Sequence, residues 1–258
     1  MKALGTGIKG FLGSNLAKKV SITPIPHKDI LTTKLMPFDV FYFLSSYGNY
    51  SHQTEADKIM KANILDLIHI INQAVQTDFQ SFVFISTSSV KLSIQTMYSR
   101  AKRAAEEILL SYMEKYKKPI LIIRPFTICG VGDGERHLIP TIIRSCLRGE
   151  KIDFIPNPTH DYIDVEDVVD GIQSLVEHGV KGIFELGVGK TYTNLEVLQI
   201  IEEVTGKKAN VNIVQSMRSY DNERWVSTNF KARGYGWLPR VSLKQSITNM
   251  VENYKKHA

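Results

Sequence analysis

Tyr98 and Lys102, four residues apart in the run Met97-Tyr98-Ser99-Arg100-Ala101-Lys102, are the side chains of this sequence best suited to moving a proton. On a helix that spacing sets both on one face, one turn apart. A phenol ordinarily titrates at about 10 and keeps its proton at neutral pH. A neighbouring ammonium favours the phenolate, so the pair could exchange a proton with a bound oxygen. Just upstream, Ile85-Ser86-Thr87-Ser88-Ser89 ends an apolar run, and the Thr87 hydroxyl could hydrogen-bond the same oxygen. A Tyr-x-x-x-Lys also arises by chance on surface helices. Its weight comes from the strand before it, the helix that carries it and a glycine-rich turn near the start of the chain.

That turn is Gly7-Ile8-Lys9-Gly10-Phe11-Leu12-Gly13, between a short strand over Met1–Thr6 and a brief helix over Ser14–Val20. Glycines at this spacing let backbone approach a diphosphate at a helix N-terminus and let helix and strand pack closely. Ser21–Pro26 reads as a second strand. Where a dinucleotide site for NAD would place an Asp or Glu, this chain has His27-Lys28. A basic pair suits the 2′-phosphate of NADP; an exposed turn is the plain alternative.

Asp39–Ser46 is continuously apolar through Val-Phe-Tyr-Phe-Leu, as expected of a strand covered on both faces. A helical period follows over Glu55–Val75. Then come a strand over Gln80–Thr87, a long helix over Tyr98–Tyr116 and a strand over Pro119–Arg124. This alternation predicts an α/β fold, a Rossmann-type doubly wound parallel sheet with its loops of interest at the C-terminal strand edge. Beyond Pro125 the spacing changes. A glycine loop over Gly130–Gly134 leads to helices over Leu138–Leu147, Asp164–His178, Asn194–Thr205 and Leu243–Tyr254, with strands over Gly182–Leu186 and Val211–Val214. The expected division is a dinucleotide core over 1–125, to which 164–187 returns, and a small interleaved α/β substrate region over 126–163 and 188–258.

Composition agrees with a soluble globular protein, at 43% hydrophobic and 22% charged residues. Net charge is +6, spread over pairs such as Lys117-Lys118 and Lys255-Lys256. No dense basic face with base-reading groups stands out, so no nucleic-acid partner is expected. Cys129 and Cys146 have no ligand spacing and the seven histidines are scattered, so no metal is expected. Neither a secretory leader nor a stretch long enough to span a bilayer is evident, and a cytoplasmic protein is expected.

With these residues in hand, the chain resembles the extended short-chain dehydrogenase/reductase family of nucleotide-sugar epimerases, dehydratases and reductases. Thr6–Gly13 is similar to the family's TGxxGxxG. Asn63 falls on its helical asparagine, Ser86-Thr87-Ser88-Ser89-Val90 on its serine/threonine strand end, and Tyr98 and Lys102 on YxxxK. Arg124-Pro125-Phe126-Thr127-Ile128-Cys129-Gly130 resembles RPxNxYG, and His160-Asp161-Tyr162-Ile163-Asp164-Val165-Glu166-Asp167-Val168 resembles RDFIxVxDV. Lys231-Ala232 followed by Gly236-Trp237-Leu238-Pro239 completes the series.

The resemblance implies that Gly7, Gly10, Phe11, Leu12 and Gly13 cradle the cofactor diphosphate. His27 and Lys28 would then take the adenosine ribose, and Leu44, Ser45, Ser46, Asn63, Ser86 and Pro125 would line the rest of the NADP or NAD site, with NADP preferred. It implies Tyr98 as general acid/base, Lys102 on the nicotinamide ribose and lowering the Tyr98 pKa, and Thr87 on the sugar oxygen. Ser88, Thr127, His160, Arg218 and Asp221 would contact a nucleotide-diphosphate sugar. A homodimer through the helices over 55–75 and 98–116 is implied as well. Departures are Thr127 for the usual Asn, His160 for Arg, Phe43 for His, and a short span from Thr87 to Tyr98. Ser88-Ser89 stand where a 4,6-dehydratase carries an Asp-Glu pair, which sets that reaction aside. A reductase of a 4-keto-deoxyhexose nucleotide using NADPH is the leading expectation. A 4-epimerase with tightly bound NAD comes second, and a non-catalytic NAD(P)-binding regulatory protein third.

Overall fold

Three consecutive strands explain the centre of the molecule. In Val40–Phe43, Ser81–Ile85 and Ile120–Pro125, residues alternate between two faces, and both faces are apolar. Val40, Tyr42, Val83, Ile85, Leu121 and Ile123 point into one core layer. Phe41, Phe43, Phe82, Phe84, Ile120 and Ile122 point into the other. Phe41 stacks on Phe82 with ring centroids 5.2 Å apart, pairing neighbouring strands across one face. Each such ring contributes about 1.5–3 kcal/mol of burial.

The computed structural model describes residues 1–50, 52–215, 223 and 225–256. Its strands are β1 (Ala3–Thr6), β2 (Ile22–Pro24), β3 (Val40–Phe43), β4 (Ser81–Ile85), β5 (Ile120–Pro125), β6 (Thr127–Cys129), β7 (Lys151–Phe154), β8 (Thr159–His160), β9 (Tyr162–Asp164), β10 (Gly182–Leu186), β11 (Tyr192–Thr193) and β12 (Asn210–Ile213). The helices are α1 (Phe11–Ala17), α2 (Ala56–Met60), α3 (Asp66–Ala74), α4 (Met97–Tyr116), α5 (Leu138–Arg148), α6 (Val165–Glu177), α7 (Asn194–Thr205), α8 (Phe230–Arg233) and α9 (Leu243–Lys256). Six strands form one parallel sheet in the order β10-β5-β4-β3-β1-β2. Residues of α6 pack with α1 on one face, while α3 and α4 cover the other. Because β2 and β3 flank β1 on opposite sides, the chain reverses direction beside β1. Ligands of open α/β sheets bind in the crevice at such a point.

A third apolar cluster joins α5, α7 and α9 with Phe154 and Tyr162. The parallel pair β12–β7, the antiparallel pair β11–β8 and the parallel pair β6–β9 complete this region. Thr193 caps α7 with a reciprocal Glu196 bond, as a Thr-x-x-Glu run dictates. Buried carboxylates tie this half to the sheet. Asp161 accepts the backbone N–H groups of Val188, Gly189 and Ser227, and Asp167 those of Arg240 and Val241.

The short strands β6, β7, β8, β9 and β11 and the helix α8 go beyond the sequence reading, and two of the expected elements are altered. The first helix starts at Phe11, not Ser14, because the glycine turn is complete by Gly10. The helix expected over Glu55–Val75 is interrupted at Lys61–Leu65 by a π-helical turn, whose extra residue leaves Leu65 exposed and Asn63 buried. Among the described residues, no helix is long and apolar enough to cross a membrane, and no three His, Cys, Asp or Glu are grouped to hold a metal ion.

Candidate active site

The glycine turn leaves β1 at Thr6 and reverses at Gly7, whose φ of +70° lies in the left-handed region. A Cβ there would stand 2.5 Å from the Ser45 nitrogen, and one on Gly13 would stand 2.3 Å from the Gly7 carbonyl oxygen. Backbone alone therefore forms this wall of the crevice. Gly10 begins α1 without a side-chain cap, and Phe11 and Leu12 are half-buried in its first turn. The loop after β3 adjoins the turn: Leu44 N–H donates to the Thr6 carbonyl, and the Ser45 and Thr6 hydroxyl oxygens are 2.9 Å apart. His27 and Lys28 follow β2 in a single 3₁₀ turn and are exposed. His27 Nε2 lies 3.7 Å from the buried carboxylate of Asp66, which Lys61 also holds at 2.7 Å.

Thr96 caps α4, accepting the Ser99 N–H at 3.2 Å, so Tyr98 sits in the first helical turn. Gly48 lets the loop after β3 pass close to it, since a Cβ on Gly48 would be 3.2 Å from the Tyr98 Cβ. Burial pushes the Tyr98 phenol up to about 12, against a hydrogen bond with Ser46 that lowers it. One turn on, Lys102 is buried, with Nζ donating to the Ile85 carbonyl at 2.8 Å. Its Nζ is 4.6 Å from the Phe84 ring centroid and 6.0 Å from that of Tyr98. Loss of hydration pulls Lys102 down to about 7, against the opposite pull of Glu106. The sequence reading, in which Lys102 acidifies Tyr98, is corrected here. A lysine this deeply desolvated spends its charge on its own burial, and both groups are displaced toward their neutral forms.

Thr87 leaves β4 with extended backbone and is half-buried. Ser86 is buried, and its hydroxyl has no partner among the described residues. Ser88 is occupied: the Trp225 indole N–H donates to its hydroxyl at 2.8 Å. Trp225 also lies 5.3 Å from His160, ring to ring, which brings the expected substrate residues Ser88 and His160 to one wall. Thr127 opens β6, its N–H bonded to the Asp161 carbonyl, and Pro125 ends β5 in the sheet. Asn63 is buried on the π turn and braces the loop after β3. Its amide nitrogen donates to the carbonyls of Tyr47 and Ile59, holding the loop after β3, while its Oδ1 has no partner among the described residues. Arg218 and Asp221 lie outside the described residues.

Residues 27–187, more than half of the chain, match the NAD dependent epimerase/dehydratase family. The chain belongs to that family. Membership makes it an enzyme of the extended short-chain dehydrogenase/reductase type. It is 24% identical to the Bacillus subtilis protein YtcB, an uncharacterized UDP-glucose epimerase, over 97% of each chain. Among solved structures, the Bacillus cereus UDP-glucuronic acid 4-epimerase in complex with UDP-glucuronic acid and NAD superposes with a TM-score of 0.89, at 20% identity and full coverage of both chains. RMD from Pseudomonas aeruginosa complexed with NADPH superposes at 0.85, with 17% identity and full coverage of both.

Within this epimerase/dehydratase fold, several contacts escaped the sequence reading. Trp225 is isolated in sequence from any motif, so nothing local marks it as a partner of Ser88. Glu223 accepts the N–H groups of Ser93 and Ile94 at 2.8 and 3.0 Å, fastening the same C-terminal segment to the loop that precedes α4. Lys91 pairs with Glu185 at 2.7 Å, and Glu185 also accepts from Thr228. Ser89 and Ser99 were in plain view, flanking Thr87 and Tyr98; their mutual bond of 2.7 Å depends on how β4 meets α4.

Proposed function

We propose that this chain reduces a 4-keto nucleotide-diphosphate sugar with NADPH, with Tyr98 giving the proton and Thr87 hydrogen-bonding the same oxygen. The observation that carries the reading is the exposed His27-Lys28 pair after β2, where an NAD site would carry a carboxylate and where a 2′-phosphate would find positive charge. Tyr98, raised by burial, keeps its proton at neutral pH and can donate it to a keto oxygen.

The residues present fit a nicotinamide dinucleotide. The wall at Gly7 and Gly13 has no room for a Cβ, and the buried Ser86 hydroxyl and Asn63 Oδ1 lack partners among the described residues. Gly7, Gly10, Phe11, Leu12 and Gly13 would hold its diphosphate through backbone, and Leu44, Ser45, Ser46, Ser86 and Pro125 would line its path. Such a cofactor, when bound, supplies the hydride. Exposed His27 and Lys28, with no carboxylate in their place, support NADPH over NADH. Lys102 would meet the nicotinamide ribose. Tyr98 donates its proton to the carbonyl oxygen as charge develops there, and Thr87 stabilises that charge by a hydrogen bond. Trp225, Ser88, Thr127 and His160 would form the sugar wall, with Arg218 and Asp221 on the nucleotide.

Dehydration is disfavoured, because Ser88 is engaged by Trp225 and neither Ser88 nor Ser89 can ionise near neutral pH. A 4-epimerase is the second reading, supported by the likeness to the Bacillus cereus enzyme and to YtcB. We also propose a homodimer through the helical segments over 55–75 and 98–116, where Met60 of α2, Leu65 of the π turn and Met97 at the start of α4 are exposed. Incubating the purified protein with NADPH and dTDP- or UDP-linked 4-keto-6-deoxyhexose tests the reading. Loss of NADPH absorbance with formation of one 4-hydroxy product supports it. Interconversion of UDP-sugars without added cofactor, and release of NAD on denaturation, would replace it with the epimerase.

A further inference from the structure

The buried hydroxyl of Ser88 accepts the Trp225 indole N–H at 2.8 Å, and Ser88 directly follows Thr87. Among the described residues no peptide bond is cis, so the Cα atoms of Thr87 and Ser88 are about 3.8 Å apart. The same strand end meets the first turn of α4 through the Ser89 and Ser99 hydroxyls, 2.7 Å apart, and Ser99 directly follows Tyr98. Trp225 is therefore anchored one residue from the hydroxyl assigned to the reacting oxygen. Its ring lies 5.3 Å from that of His160, and His160 in turn meets the buried Tyr162 ring edge-on at 5.8 Å. Two residues earlier, Glu223 accepts the N–H groups of Ser93 and Ile94 and fastens the segment to the loop before α4. Trp225 is thus a held aromatic plane that stays half-buried, not closed off. Indole has one polar atom, a donor, and here it is spent on Ser88. What remains of the ring offers only apolar surface to a molecule beside it.

We infer that Trp225 is a specificity-determining residue whose indole walls the carbon beside the reacting ketone and selects a sugar with a methyl group at C6 over one with a hydroxymethyl or a carboxylate. The wall rests on the reduction proposed above, which places C4 of the sugar at Thr87 and Tyr98. C4 is bonded to two carbons. On a hexose, C3 carries a hydroxyl, whereas C5 carries C6, which is apolar when it is a methyl group. A surface whose one donor is already engaged suits that methyl group. A hydroxyl on C6 would give up water there without a new partner, and a carboxylate would give up more. Ser88 offers little to either, being buried and bonded to the indole. A pentose, with no C6 at all, would leave the indole uncovered and forfeit the burial of one methyl group. Apolar sites of this kind reject an added hydroxyl by about a hundredfold, and a missing methylene by about ten- to two-hundredfold.

Four sugars that differ only at C6 test the wall: xylose, 6-deoxyglucose, glucose and glucuronic acid, each linked to UDP and to dTDP. Their binding to wild type, Trp225→Ala and Trp225→Phe in the presence of NADP is followed by titration calorimetry. NADPH turnover is measured with the 4-keto forms of the first three, and melting temperatures are recorded alongside. In wild type, 6-deoxyglucose is expected to bind about tenfold or more tightly than xylose or glucose, with glucuronic acid weakest, and kcat/KM to follow the same order. Trp225→Ala should bring 6-deoxyglucose and glucose to similar affinity, whereas Trp225→Phe, which keeps an aromatic face, should retain the order. Wild type that binds glucose or glucuronic acid as tightly as 6-deoxyglucose overturns the wall. So does a Trp225→Ala variant that weakens all four sugars alike, or whose losses merely follow a fall in melting temperature. Turnover of no 4-keto sugar by wild type overturns the reduction, and the binding order then decides the wall by itself. Binding of none of these nucleotide sugars overturns both.

Discussion

Replacing Lys102 by methionine is expected to make the folded protein more stable near neutral pH and to end its activity. Lysine in an unfolded chain titrates at 10.5; in the fold, burial pulls Lys102 to about 7. Between those values the unfolded state binds the extra proton, so folding carries a penalty. The penalty is absent above the unfolded value, grows as pH falls toward 7 and is constant below it. At 1.36 kcal/mol per pH unit, the full difference amounts to about 4–5 kcal/mol, nearly all of it expressed at pH 7. Against this, methionine forfeits the bond to the Ile85 carbonyl, worth about 1 kcal/mol. Methionine has nearly the length of lysine and needs no proton, so the packing against Phe84 is kept. The net gain is about 2–4 kcal/mol at pH 7, fading to zero or a small loss near the unfolded lysine value. Urea unfolding of wild type and Lys102→Met across neutral to alkaline pH measures it directly, because every other titration cancels in the difference. A variant destabilised by the same amount at every pH would mean that the lysine is charged and paired in the fold, and the reasoning would fail. A buried amine kept at such cost points to a functional task.

Gly7→Ala forces a Cβ to within 2.5 Å of the Ser45 nitrogen in a left-handed turn; a loss of about 2–4 kcal/mol is expected, together with loss of dinucleotide binding measured by titration calorimetry. Glu185→Gln tests the strap between Lys91 and Thr228. Burial alone would raise the Glu185 carboxyl, but Lys91 and the Thr228 N–H outweigh it and hold it below its usual value. Its contribution is therefore full above the unfolded carboxyl value and disappears as pH falls through the lower folded one. The variant should lose about 1–3 kcal/mol at pH 7 and match wild type in acid, as followed by thermal unfolding.

Much of this site could be read directly from residue order. The strand–helix alternation places β1, β3, β4 and β5 correctly, since runs such as Phe41–Phe43 and Ile120–Ile123 must be covered on both faces. The Thr193–Glu196 capping box fixes the start of α7. Glycine spacing marks the turn at Gly7. What escaped depends on contacts distant in sequence. The π turn at Lys61–Leu65 has no proline or glycine to announce it, and it exists to carry Asn63 to the Tyr47 carbonyl. The two-residue strands β8 and β11 are too short to show a period. Trp225 reaches Ser88 across 137 positions of chain. The burial of Lys102 was hidden too, because a YxxxK spacing shows which face a lysine occupies and not how much water it keeps.

The most direct test concerns the proton at Tyr98. Tyr98→Phe removes one oxygen from a half-buried ring and leaves the glycine turn untouched. A single-turnover measurement of NADPH oxidation with a 4-keto nucleotide sugar, beside NADPH binding by fluorescence, compares it with wild type. The account expects binding to persist and the rate to fall by about a hundredfold or more. A variant that binds NADPH and still turns over at more than a tenth of the wild-type rate would contradict it.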